Sequence, residues 1–369
     1  MLPLNWQKVR LGDIGKPCMC KRVMKHQTTR YGEIPFYKIG TFGNTADAFI
    51  SKKLFLEYKT KYSFPKKGDI LISASGTIGR AVIYDGKPAY FQDSNIVWID
   101  NDETLVKNDF LFYAYSNVKW NTEHTTILRL YNDNFRNTLI PLPSLNEQSA
   151  IANILSGLDR YFCALDALIL KKEGVKKSLS FELLSQRKRL KGFNQAWQRV
   201  RLGDIANYLT SNLSVEQITQ QGEIKVYDVN NFIGYTDTTF ISDKPYISIV
   251  KDGSVGRVRI LPPKTNILST MGALIANHRT TTEFLFYLLS NFDFKNFTSG
   301  SIIPHIYFKD YKEKTIFLPP LNEQSAIANI LSALDNEIAS LKNKKRQFEN
   351  IKKALNHDLM SAKIRVLEK

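Results

Sequence analysis

The sequence predicts two α/β (α+β) globules, each followed by a long α-helix, in a pseudo-twofold internal repeat. The first observation is a 12-residue segment, LNEQSAIANILS, which occurs unchanged at 145–156 and at 321–332. The second is VRLGDI, which occurs at 9–14 and at 200–205. The third is a long run of apolar residues at spacings of four and three after each LNEQ, which is typical of a coiled coil. The residues between the matched segments differ much more, which indicates that the two copies of one fold recognise different targets.

Within each globule, short strand-like runs alternate with turn residues and one short amphipathic helix. We expect strands at 69–73, 96–99, 247–250 and 255–261, and helices at 109–115 and 283–289. Matched residues are 191 positions apart at the openings and 176 apart at the LNEQ segments, so the first copy is 15 residues longer. The segment CMCKRVMK at 18–25 is a candidate for this insertion.

The two long helices carry the clearest pattern. Asn146 and Asn322 are expected to cap them, with Glu147 and Glu323 at the positive end of each helix dipole. The predicted seam positions are Ile151, Leu155, Leu158, Phe162, Leu165, Ile169, Lys172, Lys176, Leu179 and Leu183, then Ile327, Leu331, Leu334, Ile338, Leu341, Lys345, Phe348, Lys352, Leu355 and Leu359. Each seam covers about 33 residues, or roughly 50 Å. We expect an antiparallel coiled-coil spacer; the alternative is that each helix packs on its own globule.

Composition limits the class of protein. An apolar fraction of 43% excludes global disorder, and the absence of a run of about 18 apolar residues or a secretion signal places the chain in the cytoplasm. Three cysteines, Cys18, Cys20 and Cys163, are too few for a disulfide framework. The net charge of +16 attracts polyanions, with nucleic acid as the first candidate and membrane surfaces or acidic proteins as alternatives.

The order of these motifs resembles the specificity (S) subunit of a type I restriction-modification system. The resemblance covers nearly the whole chain and rests on the duplicated segments 141–159 and 319–335, the W-x-x-V-R-L-G-D-I openings, two G-x-x-G-R turns and IPHIYFKD at 303–310. It implies target recognition domains at 1–143 and 193–319, and spacer helices at 144–192 and 320–369. It also implies a non-catalytic chain that reads two DNA half-sites and binds two methyltransferase subunits and restriction/translocase subunits. A spacer of ~50 Å separates half-sites by roughly one and a half turns of DNA at most, with the base pairs between them unread.

Candidate DNA contacts fall in two matched groups. Glycine-rich turns let backbone N–H groups approach a phosphate, and arginine adds a phosphate or guanine contact, although a plain hairpin turn is the alternative. The turn residues are Ser75, Gly76, Thr77, Gly79 and Arg80 in the first copy, and Ser254, Gly256 and Arg257 in the second. The second group pairs Arg129 and Tyr131, from the stretch 127–134, with His305 and Tyr307; a core strand is its alternative. Further candidates are Asn95, Lys251, Arg259 and Thr270.

The remaining expectations concern partners and chemistry. Asn146, Glu147, Gln148, Asn322, Glu323 and Gln324 are predicted to dock a partner twice, and eight basic residues within 171–191 are predicted to solvate a helix or dock a partner rather than touch DNA. No ATP phosphate loop, adenine-methyltransferase motif or metal-ligand pattern is found, so we expect no cofactor in this chain. S-adenosylmethionine, ATP and Mg are implied for the partner subunits. The rival hypotheses are a stand-alone nuclease or methyltransferase and a basic coiled-coil scaffold.

Overall fold

The computed structural model describes residues 6–124 and 128–366, which form two compact units. The first unit consists of Met1–Leu165 together with Lys344–Lys369, and the second of Asp166–Asn343. The domains predicted from the sequence are four consecutive segments, whereas the first compact unit consists of two separate segments of the chain. Each unit therefore combines one α/β globule with parts of both long helices.

The first globule contains two main sheets and four small helices. Its elements are β1 (Gln7–Arg10), α1 (Leu11–Ile14), β2 (Gly15–Met19), β3 (Ile34–Tyr37), β4 (Phe49–Ile50), α2 (Lys52–Lys61), β5 (Ile70–Ser73), β6 (Ala81–Ile83), β7 (Tyr90–Phe91), β8 (Ile96–Asn101), α3 (Asn108–Tyr115), β9 (Glu123–His124), β10 (Leu128–Arg129), α4 (Asn132–Asn137) and β11 (Leu139–Leu142). The long helix α5 (Leu145–Leu184) follows. The strand orders are β2-β8-β5-β6, β4-β3-β7, β1-β11 and β10-β9.

The second globule repeats this plan. Its elements are β12 (Gln198–Arg201), β13 (Ala206–Thr210), β14 (Ile224–Tyr227), β15 (Phe232–Thr236), β16 (Tyr246–Val250), β17 (Val258–Leu261), β18 (Thr265–Ile267), β19 (Met271–Ala276), α6 (Thr282–Ser290), α7 (Phe308–Tyr311) and β20 (Thr315–Leu318), followed by the long helix α8 (Leu321–Met360). Short 3-10 turns lie at Lys25–Gln27, Leu202–Asp204, Val215–Gln217 and Lys295–Phe297.

The strand orders show how closely the two globules correspond. The sheets β13-β19-β16-β17, β15-β14-β18 and β12-β20 match β2-β8-β5-β6, β4-β3-β7 and β1-β11 strand for strand. In both three-stranded sheets one pair is parallel and the other antiparallel. The central strands β5 and β16 are buried along their whole length because α3 or α6 packs on one face of each four-stranded sheet. The predicted duplication of one α/β fold is thus confirmed.

The extra length of the first copy lies mainly at α2. Nineteen residues separate β4 from β5, whereas nine separate β15 from β16. Ser51 caps α2 by accepting a hydrogen bond from Leu54 N, and Phe55 anchors the helix in the core. The prediction that 18–25 belongs to the insertion is wrong, because Cys18 lies in β2, which corresponds to β13 of the second copy.

The repeated VRLGDI segment has a structural role in each globule. Its strand pairs antiparallel with the strand that precedes the long helix, and its leucine is fully buried. The carboxylate of Asp13 accepts a hydrogen bond from Arg10 N at 3.1 Å, and Asp204 accepts one from Arg201 N at the same distance. That backbone hydrogen bond lowers the pKa of Asp204. The motif therefore fixes a tight turn between the opening strand and the sheet.

Within each unit the long helices run antiparallel, which confirms the predicted coiled coil. Contacts across the helix pair are Asp159–Lys352 and Tyr161–Phe348 in the first unit, and Lys172–Glu337 and Lys176–Asp335 in the second. All predicted seam positions are buried or half-buried. The alternative also holds in part, because Ile151 and Leu155 of α5 pack in the core of the first unit, whereas Leu183 packs in the core of the second.

The helices begin two residues earlier than predicted, since a cap at Asn146 or Asn322 would make residue 147 or 323 the first helical residue. Because α5 starts at Leu145 and α8 at Leu321, Asn146 and Asn322 are second residues of helices and not caps. In the first copy Ser144 takes this place, since its Oγ accepts a hydrogen bond from Glu147 N at 3.3 Å. Among the helices of the described residues, none is both long and apolar enough to cross a membrane.

Candidate nucleic-acid interface

The two G-x-x-G-R turns are hairpins with the same backbone conformation. Each joins the last two strands of a four-stranded sheet, and the second glycine donates its N–H to the last strand residue before the turn, Gly79 to Ser73 O and Gly256 to Val250 O, both at 2.9 Å. All four glycines have positive φ, between 65° and 83°. A Cβ at residue 256 would lie 2.6 Å from the Phe294 ring, so only glycine fits.

The structure places the two predicted groups of DNA contacts side by side in each globule. Leu130 N donates to Ala74 O, and Ile306 N donates to Lys251 O, both at 2.9 Å. Isolated bridges join Ser75 to Arg129 and Asp252 to His305. Arg129 and His305 are therefore equivalent, as the alignment predicts. We call this surface the turn face: Ser75–Arg80 with Arg129–Tyr131 in the first globule, and Asp252–Arg257 with His305–Tyr307 in the second.

In the first globule a concavity of about 530 Å³ opens beside the turn face. Its polar lining comprises Arg22, Lys25, Thr28, Lys38, Gln92, Asp93, Ser94, Asn95 and Arg129. Four cationic side chains and one carboxylate thus line it; Arg22 pairs with Asp93 and Lys38 pairs with Asp47, both at 2.8 Å, which leaves a net positive lining. A surface with this charge and with two amide side chains suits the phosphates and base edges of nucleic acid.

The loop Gln92–Asn95 beside this concavity is held in place from several sides. Ser75 Oγ donates to Asn95 Oδ1 and Arg129 Nη2 donates to Ser94 O, both at 2.9 Å. Gln92 Oε1 accepts a hydrogen bond from Ile39 N. Ser94 has a φ of 59°, a conformation that non-glycine residues adopt at an energetic cost. The loop is therefore rigid before any ligand arrives.

Three cations of the concavity were missing from the sequence prediction. Arg22, Lys25 and Lys38 come from the chain between β2 and β4, more than 50 residues before Asn95 and Arg129. The basic run from Lys21 to Lys25 was a visible signal. Only the pairing of β3 with β7 shows that this chain and the Gln92–Asn95 loop share one surface.

The turn face of the second globule carries different chemistry. His305 Nδ1 lies 2.6 Å from Asp252 Oδ1, and its ring stacks near Tyr307 at 6.4 Å between centroids. Tyr307 is 49% exposed, and Lys309 Nζ lies 5.5 Å from its ring. Lys251 N donates to Thr270 O at 3.1 Å, so both residues, with the exposed Ser254 of the turn, belong to the same surface.

The predicted arginines behave unequally. Arg80 Nη1 donates to Phe42 O at 2.9 Å, so its guanidinium is tied to the backbone of its own globule, whereas Arg257 is exposed. Arg259 points elsewhere, since it lies over the Tyr227 ring and donates to Asn230 O. Gly76 and Thr77 are exposed at the tip of the first turn, and Tyr131 is 40% exposed. Ile127, which begins the predicted stretch, lies outside the described residues.

The LNEQ segments have mainly internal contacts, which corrects the docking prediction for four of its six residues. Glu147 accepts hydrogen bonds from Trp6 Nε1 at 3.0 Å and from Arg365 Nε at 2.7 Å. Glu323 accepts the same pair of bonds from Trp197 Nε1 at 3.0 Å and from Arg189 Nη2 at 2.6 Å. Both carboxylates are almost fully buried.

The neighbouring glutamines are buried as well. Gln148 Nε2 donates to Pro143 O and Leu105 O, and Gln324 Nε2 donates to Pro319 O and Arg279 O. Because Glu147, Gln148, Glu323 and Gln324 fasten each globule to its helix, their side chains are not available to a partner. Asn146 and Asn322 are exposed, so for these two residues partner docking stays a prediction.

The basic stretch 171–191 is partly used inside the second unit. Lys172 and Lys176 pair with carboxylates of α8, and Arg189 pairs with Glu323. Lys188 pairs with Glu182 at 3.8 Å. The ion pairs of Lys172 and Lys176 hold the two helices together, as their predicted seam positions indicate, whereas the contact of Arg189 with Glu323 was not predicted.

Each unit has a cleft between its globule and its helix pair, and we call these the helix clefts. They measure about 980 Å³ in the first unit and 400 Å³ in the second. Seven lining positions are matched: Tyr113 with Tyr287, Ser116 with Ser290, Asn117 with Asn291, Asp159 with Asp335, Glu349 with Glu173, Lys352 with Lys176 and Lys353 with Lys177. The shared Y-x-x-S-N of the short helices was a sequence signal for this site that the motif search missed.

The centre of each helix cleft is a tyrosine–aspartate–lysine triad. Tyr113 donates to Asp159 at 2.7 Å while Lys352 pairs with the same carboxylate, and Tyr287 donates to Asp335 at 2.9 Å beside Lys176. Burial, together with the bond to the carboxylate, raises the pKa of both tyrosines, so each hydroxyl stays a donor. The triads fasten α3 and α6 to the long helices.

Two globules with one strand order, one turn face and unlike side chains on it, each fastened to a long helix pair, define a class of duplicated recognition proteins. The family model of the type I restriction modification DNA specificity domain matches the chain twice, over residues 3–172 and 194–350. The chain belongs to this family, which confirms the resemblance seen in the sequence.

Individual relatives agree with this placement. A type I restriction enzyme specificity subunit of Haemophilus influenzae is 63% identical over 148 residues, which are 40% of this chain but only 38% of that protein. The MjaVIII specificity subunit of Methanocaldococcus jannaschii is 25% identical over 409 positions, covering 99% of this chain and 94% of that protein. The fold is similar to the crystal structure of a type I S subunit from M. genitalium, with a TM-score of 0.62, 20% identity and 96% coverage of both chains.

Proposed function

We propose that this chain is the non-catalytic DNA-recognition subunit of a type I restriction-modification complex. It reads an asymmetric bipartite double-stranded target and positions methyltransferase and restriction subunits there. The observation that carries the proposal is the contrast between the two turn faces. One backbone arrangement displays Arg129 beside an amide-lined cationic concavity in the first globule, and His305 and Tyr307 in the second. Unlike side chains on one arrangement favour two unlike half-sites.

The helix clefts support the second part of the proposal, which concerns partners. The globules have diverged, yet seven of the polar residues that line each cleft are identical at corresponding positions. A surface that is kept twice in a diverged repeat favours one kind of partner bound twice. We therefore assign two methyltransferase subunits to the clefts, with the exposed Asn146 and Asn322 as further contacts. Restriction subunits join the same complex.

The chemistry is assigned to the partners. In this proposal S-adenosylmethionine binds the methyltransferase subunits, ATP and Mg act with the restriction subunits, and this chain holds no cofactor. Within the described residues no group of three or more His, Cys, Asp or Glu side chains is arranged to hold a metal ion. The three thiols are free, which supports the proposed cytoplasmic setting.

Methylome mapping tests the DNA-recognition proposal. The chain is coexpressed with its cognate methyltransferase subunit, and methylated adenines are mapped in the host genome. We expect one motif made of two defined half-sites and an undefined gap. Substitution of residues within Arg201–Asp310 should change one half-site and leave the other intact. Loss of both specificities in a folded variant would contradict the modular proposal, and DNA modification by the purified chain alone would establish the enzyme hypothesis.

Stoichiometry tests the assignment of the clefts. Lys177 and Lys353 line the two clefts and are exposed, so their replacement should leave the fold intact. We expect K177E and K353E each to reduce the complex from two methyltransferase subunits to one, and the double variant to bind none, by native mass spectrometry. K171E, on an exposed position of the same helix outside the cleft lining, is the matched control. Retention of two subunits by the double variant would move the docking surface elsewhere.

A further inference from the structure

The second globule presents two isoleucines at the apex of a loop beside its turn face. Ile302 is 92% exposed, the highest value among the exposed large hydrophobic side chains of the described residues, and the adjacent Ile303 is 54% exposed. A single exposed apolar side chain is ordinary in a folded protein. Two in succession on one loop tip form a small apolar surface, which gains free energy when a partner removes it from water.

The loop holds this tip in a fixed position. Ser299 and His305 exchange both backbone hydrogen bonds, at 2.9 and 2.7 Å, so the segment between them is closed at its base. Pro304 O accepts a hydrogen bond from Gly253 N at 2.9 Å, which ties the loop to the turn. Gly300 has a φ of 91°, and a Cβ there would collide with Ile303 O. The isoleucines are thus held outward by the backbone and cannot simply fold onto the core.

The surroundings of the tip indicate the chemistry of its partner. Arg257 belongs to the turn face, Lys251 and Lys309 lie within two residues of it, and Tyr307 and His305 are hydrogen-bonding groups. The partner must therefore combine negative charge with a recessed apolar surface. The major groove of B-DNA has phosphates along its rims and thymine C5-methyl groups on its floor. An acidic protein surface offers the charge but would need a separate apolar pocket at the same place.

We propose that Ile302 and Ile303 determine part of the specificity of the second globule by contacting thymine methyl groups in its half-site. This inference rests on the proposed DNA-recognition function and adds to it a residue pair that is not among the contacts predicted from the sequence. It also assigns different chemistry to the two globules. The first reads through amides and cations around its concavity, and the second adds apolar contact from a rigid loop.

Replacement of thymine by deoxyuridine tests the contact, because it removes only the methyl group. The probe is a duplex with the mapped bipartite target, in which each thymine of the second half-site is replaced in turn, and binding of the assembled methyltransferase complex is measured. We expect at least one replacement to weaken binding about fourfold, which is the effect of one buried methylene-sized group. In the variant I302A/I303A that penalty should disappear, while binding of the thymine duplex weakens to a similar or greater extent.

Two controls make the outcome specific. Ile351→Ala removes an exposed isoleucine from the long helix α8, and it should change neither binding nor the deoxyuridine penalties. Deoxyuridine in the first half-site should act equally on the wild type and on I302A/I303A. The inference is wrong if no thymine of the second half-site is sensitive, or if its penalty persists in I302A/I303A. Failure of the proposed function is distinguishable, because the wild-type complex would then not bind the bipartite duplex at all.

Discussion

Removal of Arg189 is the sharpest test of how the second unit is held together. Arg189 Nη2 and Nε donate to the two oxygens of Glu323 at 2.6 and 3.1 Å, and Trp197 Nε1 donates to the same carboxylate at 3.0 Å. The Glu323 side chain is 1% exposed and that of Arg189 is 26% exposed. In the variant R189A the Glu323 carboxylate stays buried, and of these three donors only the Trp197 indole N–H remains.

The expected loss of stability in R189A follows from the burial of the Glu323 carboxylate. Breaking a buried ion pair by deleting one partner costs about 3–5 kcal/mol, because the remaining charge is left without compensation. Since Arg189 is partly exposed, water can enter its place and reduce the cost. We therefore expect the second unit to lose about 2–3 kcal/mol of stability. The variant E323Q should lose less, because the remaining guanidinium can be solvated while the indole keeps an acceptor.

Hydrogen exchange followed by mass spectrometry resolves the effect by unit. A loss of about 2–3 kcal/mol raises the exchange rate of the slowest amides of Asp166–Asn343 by roughly 30- to 150-fold. The matched control is R201A, since Arg201 pairs with Glu313 at a similar distance of 3.0 Å but both side chains are more than half exposed. That exposed pair should contribute at most about 1 kcal/mol. Equal effects of R189A and R201A would refute the reasoning from burial.

Three further predictions use other features of the molecule. G256A should lower the melting temperature more than G253A, since both glycines have φ near 80° but only a Cβ at residue 256 meets Phe294; equal shifts would contradict this packing argument. Cys163 should react with a thiol reagent in the folded protein at neutral pH while Cys20 reacts only after unfolding, because burial raises the pKa of Cys20 to about 12. DNA binding should weaken on the order of 10³-fold between 50 and 200 mM salt if about six phosphates are contacted, whereas a scaffold for acidic proteins predicts no duplex binding to measure.

The features that sequence predicted well are those with a local period or a local repeat. The seam from Ile151 to Leu183 and its counterpart in α8 follow from spacing alone, because a helix places every third and fourth residue on one face. The short helices α3 and α6 and the G-x-x-G-R hairpins follow from local composition in the same way. Strand order could not be predicted, because β2 pairs with β8 across most of the globule.

The errors have one physical cause, which is that burial depends on distant residues. In the sequence, Glu147 resembles an exposed residue of a first helical turn. It is a buried hydrogen-bond acceptor because Trp6 and Arg365, which are distant in the chain, donate to it. Asn146 resembles a cap, but the prolines and β11 before it set the helix start two residues earlier, at Leu145. The concavity of the first globule likewise needs Arg22 and Arg129 to meet, which only the folded sheets bring about.

The same contacts explain why an identical segment occurs between two divergent globules. Each buried glutamate needs a tryptophan from the start of its own globule and an arginine that follows the end of the other long helix, Arg365 for Glu147 and Arg189 for Glu323. A change in any one of these residues removes part of the hydrogen bonding around a buried carboxylate. A recognition globule can therefore differ in the exposed side chains of its turn face but not in the tryptophan of its opening, and the tyrosine of α3 or α6 is fixed in the same way by its bond to the aspartate of a long helix. The unchanged segment joins the globule of each unit to both long helices. Because these contacts stay the same in both units, the exposed side chains of the two turn faces can differ.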